Sequence, residues 1–226
     1  MSFIKFENIV KLFTKYWEKF LVTGVSYTLL LAAITVAFGA VIACLLAGMK
    51  LSKIAPLRWL STAYIEIIRG TPMLLQLYFF YFALPALIPA LNKQKFLCIA
   101  IALVCNSAAY VSEVIRSGIQ AVDYGQTEAA RSVGFSSGEA MRLVVLPQAI
   151  RNILPALGNE FVTVIKESSI VSVIGIADLM FRTNDVIALS YKSLECLAVA
   201  ALISFVLTFV SSRIVSLAER KLSHGK

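Results

Sequence analysis

Histidine occurs once in 226 residues, as His224 near the C-terminus. A histidine-based metal centre or hydrolytic triad is therefore excluded on supply alone. The four cysteines, Cys44, Cys98, Cys105 and Cys196, never fall in a C-x-x-C spacing, and all lie in or at the edge of apolar runs. They read as small buried hydrophobes rather than as metal ligands. No G-x-x-x-x-G-K-[ST] phosphate loop is present, so ATP is not held by that route and no cofactor is expected in this chain. Charge is also scarce, at 15% of residues, against about 25% in an ordinary soluble domain. With no nucleophile–base pair and no metal cluster standing out, an enzyme is the least expected class.

What fills the chain instead is apolar. Hydrophobic residues make up 59% of it and the mean hydropathy is +0.82, above the roughly 45–50% apolar share of soluble domains. A water-soluble fold of this length has no interior large enough to hide that excess. The net charge of +8 then points to membrane-surface anchoring rather than to nucleic acid. No charge interrupts Leu21 to Met49, far beyond the about 7–15 residues of a signal-peptide core, so this run is a retained membrane helix.

A bilayer core about 30 Å thick needs about 20 residues of helix. The pattern predicts about five spans, near 21–49, 57–90, 96–118, 143–176 and 194–217, in an all-α membrane protein. Residues 1–20 precede them as an amphipathic interfacial helix, with Phe6, Ile9, Val10, Phe13, Tyr16, Trp17 and Phe20 at helical spacing and lysines on other faces. Residues 21–218 form the membrane domain, and 219–226 a polar tail. The second span is expected to kink at Gly70-Thr71-Pro72. The fourth is expected to be interrupted by Pro147, Pro155 and Gly158, and is punctuated by Arg151, Glu160, Lys166 and Glu167. Five spans put the termini on opposite sides. Loop and tail Lys and Arg divide ten against eight, which favours a cytoplasmic C-terminus.

Ionisable groups inside a bilayer cost at least about 2.5–3.5 kcal/mol and face a bundle interior or a watery cavity. In the fourth span Asn152, Asn159 and Lys166 recur every seven residues, beside a stripe of Glu160, Thr163 and Glu167. The third carries Asn106, Tyr110, Glu113 and Ser117. These stripes are either helix–helix glue or the lining of a polar pathway. Interhelical hydrogen bonds average only about 0.6 kcal/mol, so the pathway is favoured for Asn159, Glu160 and Lys166. For Asn106 and Glu113 both readings stand.

The segment 123–147, DYGQTEAARSVGFSSGEAMRLVVLP, has legible local physics. Asp123 with Gln126 three residues on caps a short helix, Gly134 ends it in a left-handed turn, and Ser136 with Glu139 opens the next helix. Ala129 and Ala130 offer a low surface that another protein can approach.

The residue string within that segment, Glu128-Ala129-Ala130, then Gly134, Val144, Leu146 and Pro147, resembles the EAA loop of ABC-importer permeases, with Val144 where isoleucine is usual. Tyr64-Ile65-Glu66-Ile67-Ile68-Arg69-Gly70-Thr71-Pro72 followed by Gln76 resembles the second-helix signature of the polar amino-acid permeases, the histidine/glutamine/arginine permease family. Asn106-Ser107-Ala108-Ala109-Tyr110 is similar to their third helix. Leu154-Pro155-Ala156-Leu157-Gly158-Asn159-Glu160-Phe161 with Lys166-Glu167-Ser168-Ser169 is similar to their fourth. The resemblance spans residues 20–220.

It implies a type I importer permease in a bacterial cytoplasmic membrane, working as a dimer with itself or a similar chain. Two cytoplasmic ATPase subunits hold ATP and magnesium, and an extracytoplasmic binding protein delivers a polar amino acid. The coupling helix implied includes Gln126, Glu128, Ala129, Ala130, Arg131 and Gly134. The matching pathway positions are Thr71, Asn106, Asn159, Glu160 and Lys166. The rival is an ion-coupled secondary transporter using Glu113 or Glu160 as a proton carrier; a channel or scaffold subunit is a further one. Uptake measured with the proton gradient collapsed and ATP maintained separates the first two: it is expected to persist, and its loss would support the proton carrier.

Overall fold

The structure, a computed structural model, describes residues 6–223. Residues 1–5, with Lys5 of the interfacial stretch, and 224–226, with His224, lie outside the described residues. Among the described residues the chain is helical without strands. The first elements are α1 (Phe6–Trp17), a π-helical segment (Glu18–Val25) and α2 (Ser26–Leu51). Next come α3 (Ala55–Gly70), α4 (Met73–Leu87) and α5 (Lys95–Gln120). The short α6 (Tyr124–Ser132) and α7 (Ser137–Ala140) follow, then π-helical Met141–Val145 and α8 (Leu146–Glu167). A 3₁₀ segment (Ser168–Ile174), α9 (Leu179–Ser190) and α10 (Ser193–Ser223) complete the order.

Three helical stretches are long and apolar enough to cross a membrane: Glu7–Leu51, Lys95–Gln120 and Ser193–Arg220. α3 and α4 meet the test only together, as a broken span. α8, with its charged residues, does not meet it on hydropathy, but its 22 residues reach about 33 Å at 1.5 Å per residue, enough for the hydrocarbon core.

Several expectations shift. The interfacial stretch does not separate from the first span at residue 20. α1 turns at Tyr16 (φ −122°, ψ 18°) and continues through the π-helical segment into α2. Its apolar residues divide: Leu12 and Phe20 are buried, with Ile9 and Tyr16 packed beside them, while Val10, Phe13 and Trp17 stay exposed. The second span breaks rather than kinks, because Thr71 is extended (φ −114°, ψ 144°), the conformation to which a following proline restricts it. α8, in contrast, runs unbroken through Pro155 and Gly158. Pro147 sits in its first turn, directly after a π-helical turn in which Leu146 N–H reaches back to Met141 O. That wider turn relieves the clash a proline ring makes with the carbonyl four residues back. The polar tail expected from Glu219 begins inside α10, which extends to Ser223.

The chain forms two compact units. The first comprises Met1–Thr35, Met73–Leu103 and Phe161–Ser212. One of its clusters joins Leu31, Leu77, Ile99, Leu103, Val171 and Ile176; another joins Leu12, Phe20, Leu179, Val186, Cys196 and Val199. The π-helical segment lies close to α9: a Cβ on Gly24 would stand 3.0 Å from Leu179 Cα.

The second unit comprises Val36–Pro72, Val104–Glu160 and Arg213–Lys226. Its core uses small side chains, with Ala43, Ala47 and Ala149 beside Val111, Ile115 and Ile153, as suits helices that associate by close packing rather than by expelling water. A Cβ on Gly118 of α5 would lie 2.5 Å from Ile153 Cγ1 of α8, and one on Gly158 2.6 Å from Val215 Cγ1 of α10. The cysteines are all free; Cys98 and Cys196 are buried as expected, and Cys44 is exposed. Gly118→Ala is expected to overpack this contact by about 1–3 kcal/mol. It should lower the detergent-solubilised melting temperature, and Gly118→Ala combined with Ile153→Ala should recover part of the loss.

Candidate functional site

Segment 123–147 folds as its local chemistry requires. Asp123 Oδ1 accepts from Gly125 N–H at 2.6 Å and caps α6. The reciprocal partner expected in Gln126 instead faces α8, where its Oε1 accepts from Gln148 Nε2 at 3.3 Å. At the other end Gly134 has φ +99°. Its N–H bonds Arg131 O, and Phe135 N–H bonds Ala130 O, the paired closure of a Schellman motif. Ser136 and Glu139 form the expected capping box: Ser136 Oγ accepts from Glu139 N–H, and Glu139 Oε2 accepts from Ser136 N–H at 2.8 Å. The latter bond and the Ser136 hydroxyl hold the Glu139 carboxyl below its ordinary range.

Gln126, Glu128, Ala129, Arg131 and Gly134 are all exposed. Ala130 is not; at 6% exposure it faces inward, so the low outer surface rests on Ala129 and Gly134. Beside it Tyr124 and Val133 are 73% and 76% exposed, large side chains that sequence reasoning missed because neither belongs to the motif.

The same unit holds four of the five pathway positions. Glu160 is half-buried and accepts from Ser107 Oγ at 3.1 Å. Asn106 is half-buried on the same helix as Ser107, and Asn159 is exposed, as is Asn152, whose Nδ2 donates to Gly118 O at 3.5 Å. Thr71 Oγ1 donates to Ile67 O and closes α3. Lys166, further along α8, is exposed in the other unit.

Several motif residues prove to be ties between helices. Tyr64 O–H donates to Cys105 O at 2.8 Å, and Arg69 stacks on Tyr110. Ser107 also lies against Gly39 of α2, where a Cβ would come within 3.2 Å of its Oγ. Glu113 is neither solvated nor a free acid. Its carboxylate takes Lys50 Nζ at 2.5 Å and Arg116 Nη2 at 2.8 Å, and a doubly paired carboxylate is a poor proton carrier.

In the first unit the residue missed by sequence reasoning is Asp178. It caps α9, with Oδ1 accepting from Phe181 N–H at 2.8 Å, and is wholly buried. Burial pushes its carboxyl up to about 6, against backbone hydrogen bonds that lower it. The only signal in the sequence was an acidic residue directly before a helix.

An all-helical membrane chain with a capped helix–turn–helix between its spans has the architecture of a type I importer permease. Comparison with known proteins agrees. The family described as binding-protein-dependent transport system inner membrane component matches residues 36–224, and the chain belongs to it. Over 203 residues it is 42% identical to the arginine transport system permease protein ArtQ of Bacillus subtilis (strain 168), covering 90% of this chain and 92% of that one. It is 42% identical over 217 residues to the putative glutamine transport system permease protein GlnP of Rickettsia conorii, covering 96% and 98%. Among solved structures, a chain of an amino acid ABC transporter crystallised with histidines superposes with a TM-score of 0.87 at 45% identity, over 98% of this chain and 100% of that one. A chain of the inward-facing MetNI methionine ABC transporter shares the fold, with a TM-score of 0.65 at 20% identity over 88% and 95%.

Two outcomes follow from this geometry. A Cβ on Gly134 meets nothing within 4 Å, so Gly134→Ala should cost about 1–2 kcal/mol through its positive φ alone. Protease cleavage within 124–140 should rise several-fold, and less in Gly134→Asn. For Asp178 the folded pKa lies above the unfolded value, so its contribution to stability is largest below pH 4 and is lost as pH rises through 6. The melting temperature of Asp178→Asn, relative to wild type, should therefore rise between pH 4 and 6 and level off above 7. A difference that stays flat from pH 4 to 8 contradicts the assignment.

Proposed function

We propose that this chain is the transmembrane permease subunit of an ATP-driven importer of polar L-amino acids in a bacterial cytoplasmic membrane. It pairs with a second copy or a similar chain. Two ATPase subunits, which carry the ATP and magnesium, dock at its cytoplasmic face, and an extracytoplasmic amino-acid-binding protein supplies the substrate. The C-terminus is cytoplasmic. The observation that carries this reading is the exposed α6–turn–α7 unit bearing the EAA string, in which α6 is closed at both ends by its own caps and α7 opens on a capping box. A rigid element of this kind passes force between subunits without unravelling. The amino-acid relatives support the substrate class.

In this reading Gln126, Glu128, Ala129, Arg131 and Gly134 meet the ATPase, and Ala130 holds the helix in shape. ATP-driven closure of the ATPases moves both coupling helices, and the cavity reopens to the other side of the membrane by alternating access. The two states must differ in their contacts with the ATPase for any coupling to occur. Thr71, Asn106, Asn159, Glu160 and Lys166 supply the donors and acceptors that a polar amino acid needs along its route.

A pull-down from mild-detergent membranes tests it. An ATPase subunit should co-purify with the tagged wild type and be lost with Gly134→Asp, which strains the turn and crowds the docking surface. An ATPase that never co-purifies with wild type, or transport unchanged in the variant, refutes the coupling assignment.

A further inference from the structure

Beside α1 the first unit carries two hollows of opposite character, one on each flank of the helix. A groove of about 480 Å³ runs between Ile9, Val10 and Phe13 of α1 and the stretch of α10 from Val199 to Leu207. A cavity of about 310 Å³ takes its polar lining from Asn8, Lys11, Lys15 and Tyr16 of α1 and from Ser190 and Lys192. Three- and four-residue spacing puts Asn8, Lys11 and Lys15 on one face of α1, and Val10, Phe13 and Trp17 on another. At 1.5 Å per residue, Val199 lies about 10 Å along α10 from Lys192, and Leu207 about 22 Å. α1 therefore rests where a membrane span ends, its apolar flank against hydrocarbon and its lysine flank among the headgroups. Phe13 and Trp17, both exposed, are the aromatic residues that such a boundary selects.

The cavity gathers three ammonium groups, and among the described residues no carboxylate lines it. Two glutamates stand close by, outside the lining. Glu7 Oε1 takes Lys11 Nζ at 2.5 Å, with both side chains exposed. Glu195 is held off by Asn8, whose Oδ1 accepts from Lys192 Nζ at 3.0 Å and whose Nδ2 donates to Glu195 Oε1 at 3.4 Å. The amide thus stands between the lysine and the glutamate. Among the described residues Lys15 and Lys192 are in no ion pair. Lys192 keeps two further ammonium protons for a ligand. Lys15 Nζ lies 5.1 Å from the centroid of the Tyr16 ring, a contact that occupies no acceptor. Lys192 is half-buried, and its place is set by a turn in which Tyr191 has φ 55° and Ser190 Oγ accepts from Lys192 N–H at 3.4 Å.

Three cations around one hollow at headgroup depth suit a phosphate, whose oxygens accept from several ammonium groups at once. A choline or ethanolamine head would bring its own cation against the lysines, whereas a headgroup without one would not. We propose that this cavity binds the phosphate of an anionic phospholipid of the phosphatidylglycerol class, with Lys15 and Lys192 as its principal ligands and Lys11 shared with Glu7. The headgroup then joins α1 to the α9–α10 turn, where Asn8 and Lys192 are 184 residues apart in sequence, so that binding stabilises the folded unit. The site depends on the chain's spanning a membrane, and not on the direction or the substrate of transport.

The test titrates the full-length chain in a nonionic detergent with dioctanoyl phosphatidylglycerol, dioctanoyl phosphatidylcholine or inorganic phosphate, read by native mass spectrometry and by melting temperature. Wild type should bind one phosphatidylglycerol saturably, melt at a higher temperature with it, and prefer it at least ten-fold to phosphatidylcholine. Lys15→Gln with Lys192→Gln should weaken binding about 30-fold, as the attraction of two lysines to an anionic headgroup is lost. Lys15→Arg with Lys192→Arg should bind nearly as wild type does, which separates a lost charge from a lost fold. Lys53→Gln with Lys93→Gln removes the same charge from two exposed lysines outside the cavity, and should leave affinity within two-fold of wild type. Absence of saturable binding to wild type, equal affinity for the two lipids, or equal losses in the two Gln pairs overturns the site. Inorganic phosphate bound as tightly as the lipid overturns it in favour of a free phosphate. Phosphatidylglycerol binding unchanged in Lys15→Gln with Lys192→Gln, while an extracytoplasmic binding protein no longer docks on the complete importer, overturns it in favour of a protein partner.

Discussion

In hydrocarbon there is no water to satisfy a polar group left unpaired, so each backbone and side-chain donor or acceptor must find its partner inside the protein. That requirement shapes this chain more than any other. It makes the fold helical, because a helix satisfies its own backbone. It also explains the many Ser and Thr hydroxyls that donate to a carbonyl three or four residues back, as in Thr23, Ser112, Ser117 and Thr183. Glu113 is tolerated through Lys50 and Arg116, and Glu160 has Ser107. Among the described residues three buried side-chain atoms are left without a hydrogen-bond partner, Thr35 Oγ1, Asp178 Oδ2 and Arg182 Nε.

The second constraint is how helices approach when lipid is as apolar as their own side chains. The answer here is small residues. Gly39 lies on Ser107, Gly118 on Ile153 and Gly158 on Val215, and Ala108 and Ala109 are fully buried. The motif strings are thus packing instructions as much as functional ones. The tyrosine and arginine of the α3 signature brace α5, at Cys105 O and on the Tyr110 ring.

Segment 123–147 was legible because its determinants are local. A cap, a glycine at positive φ and a capping box act within a few residues, and Gly134, Ser136 and Glu139 all behave as their neighbours require. Where a tertiary neighbour competed, the reading slipped. Gln126 bonds Gln148 of α8 rather than closing the cap, and Ala130 turns inward. The prolines show the same divide. Pro72 breaks its span through the adjacent residue, a local effect, whereas Pro155 leaves α8 continuous.

The amino-acid sequence by itself determined that the chain is a multi-span helical membrane protein with a capped helix–turn–helix between its spans and a polar fourth helix. Hydropathy, capping and helical period are properties of neighbours along the chain. Only the tertiary structure decided that Glu113 is a paired structural charge, that Asn152 and Asn159 lie exposed while Glu160 is half-buried, and that Lys166 and Asp178 line one cavity. Each of those facts depends on which helix lies against which. A side chain's partner across the bundle is set by packing between segments far apart in sequence, and no periodicity within one segment encodes it.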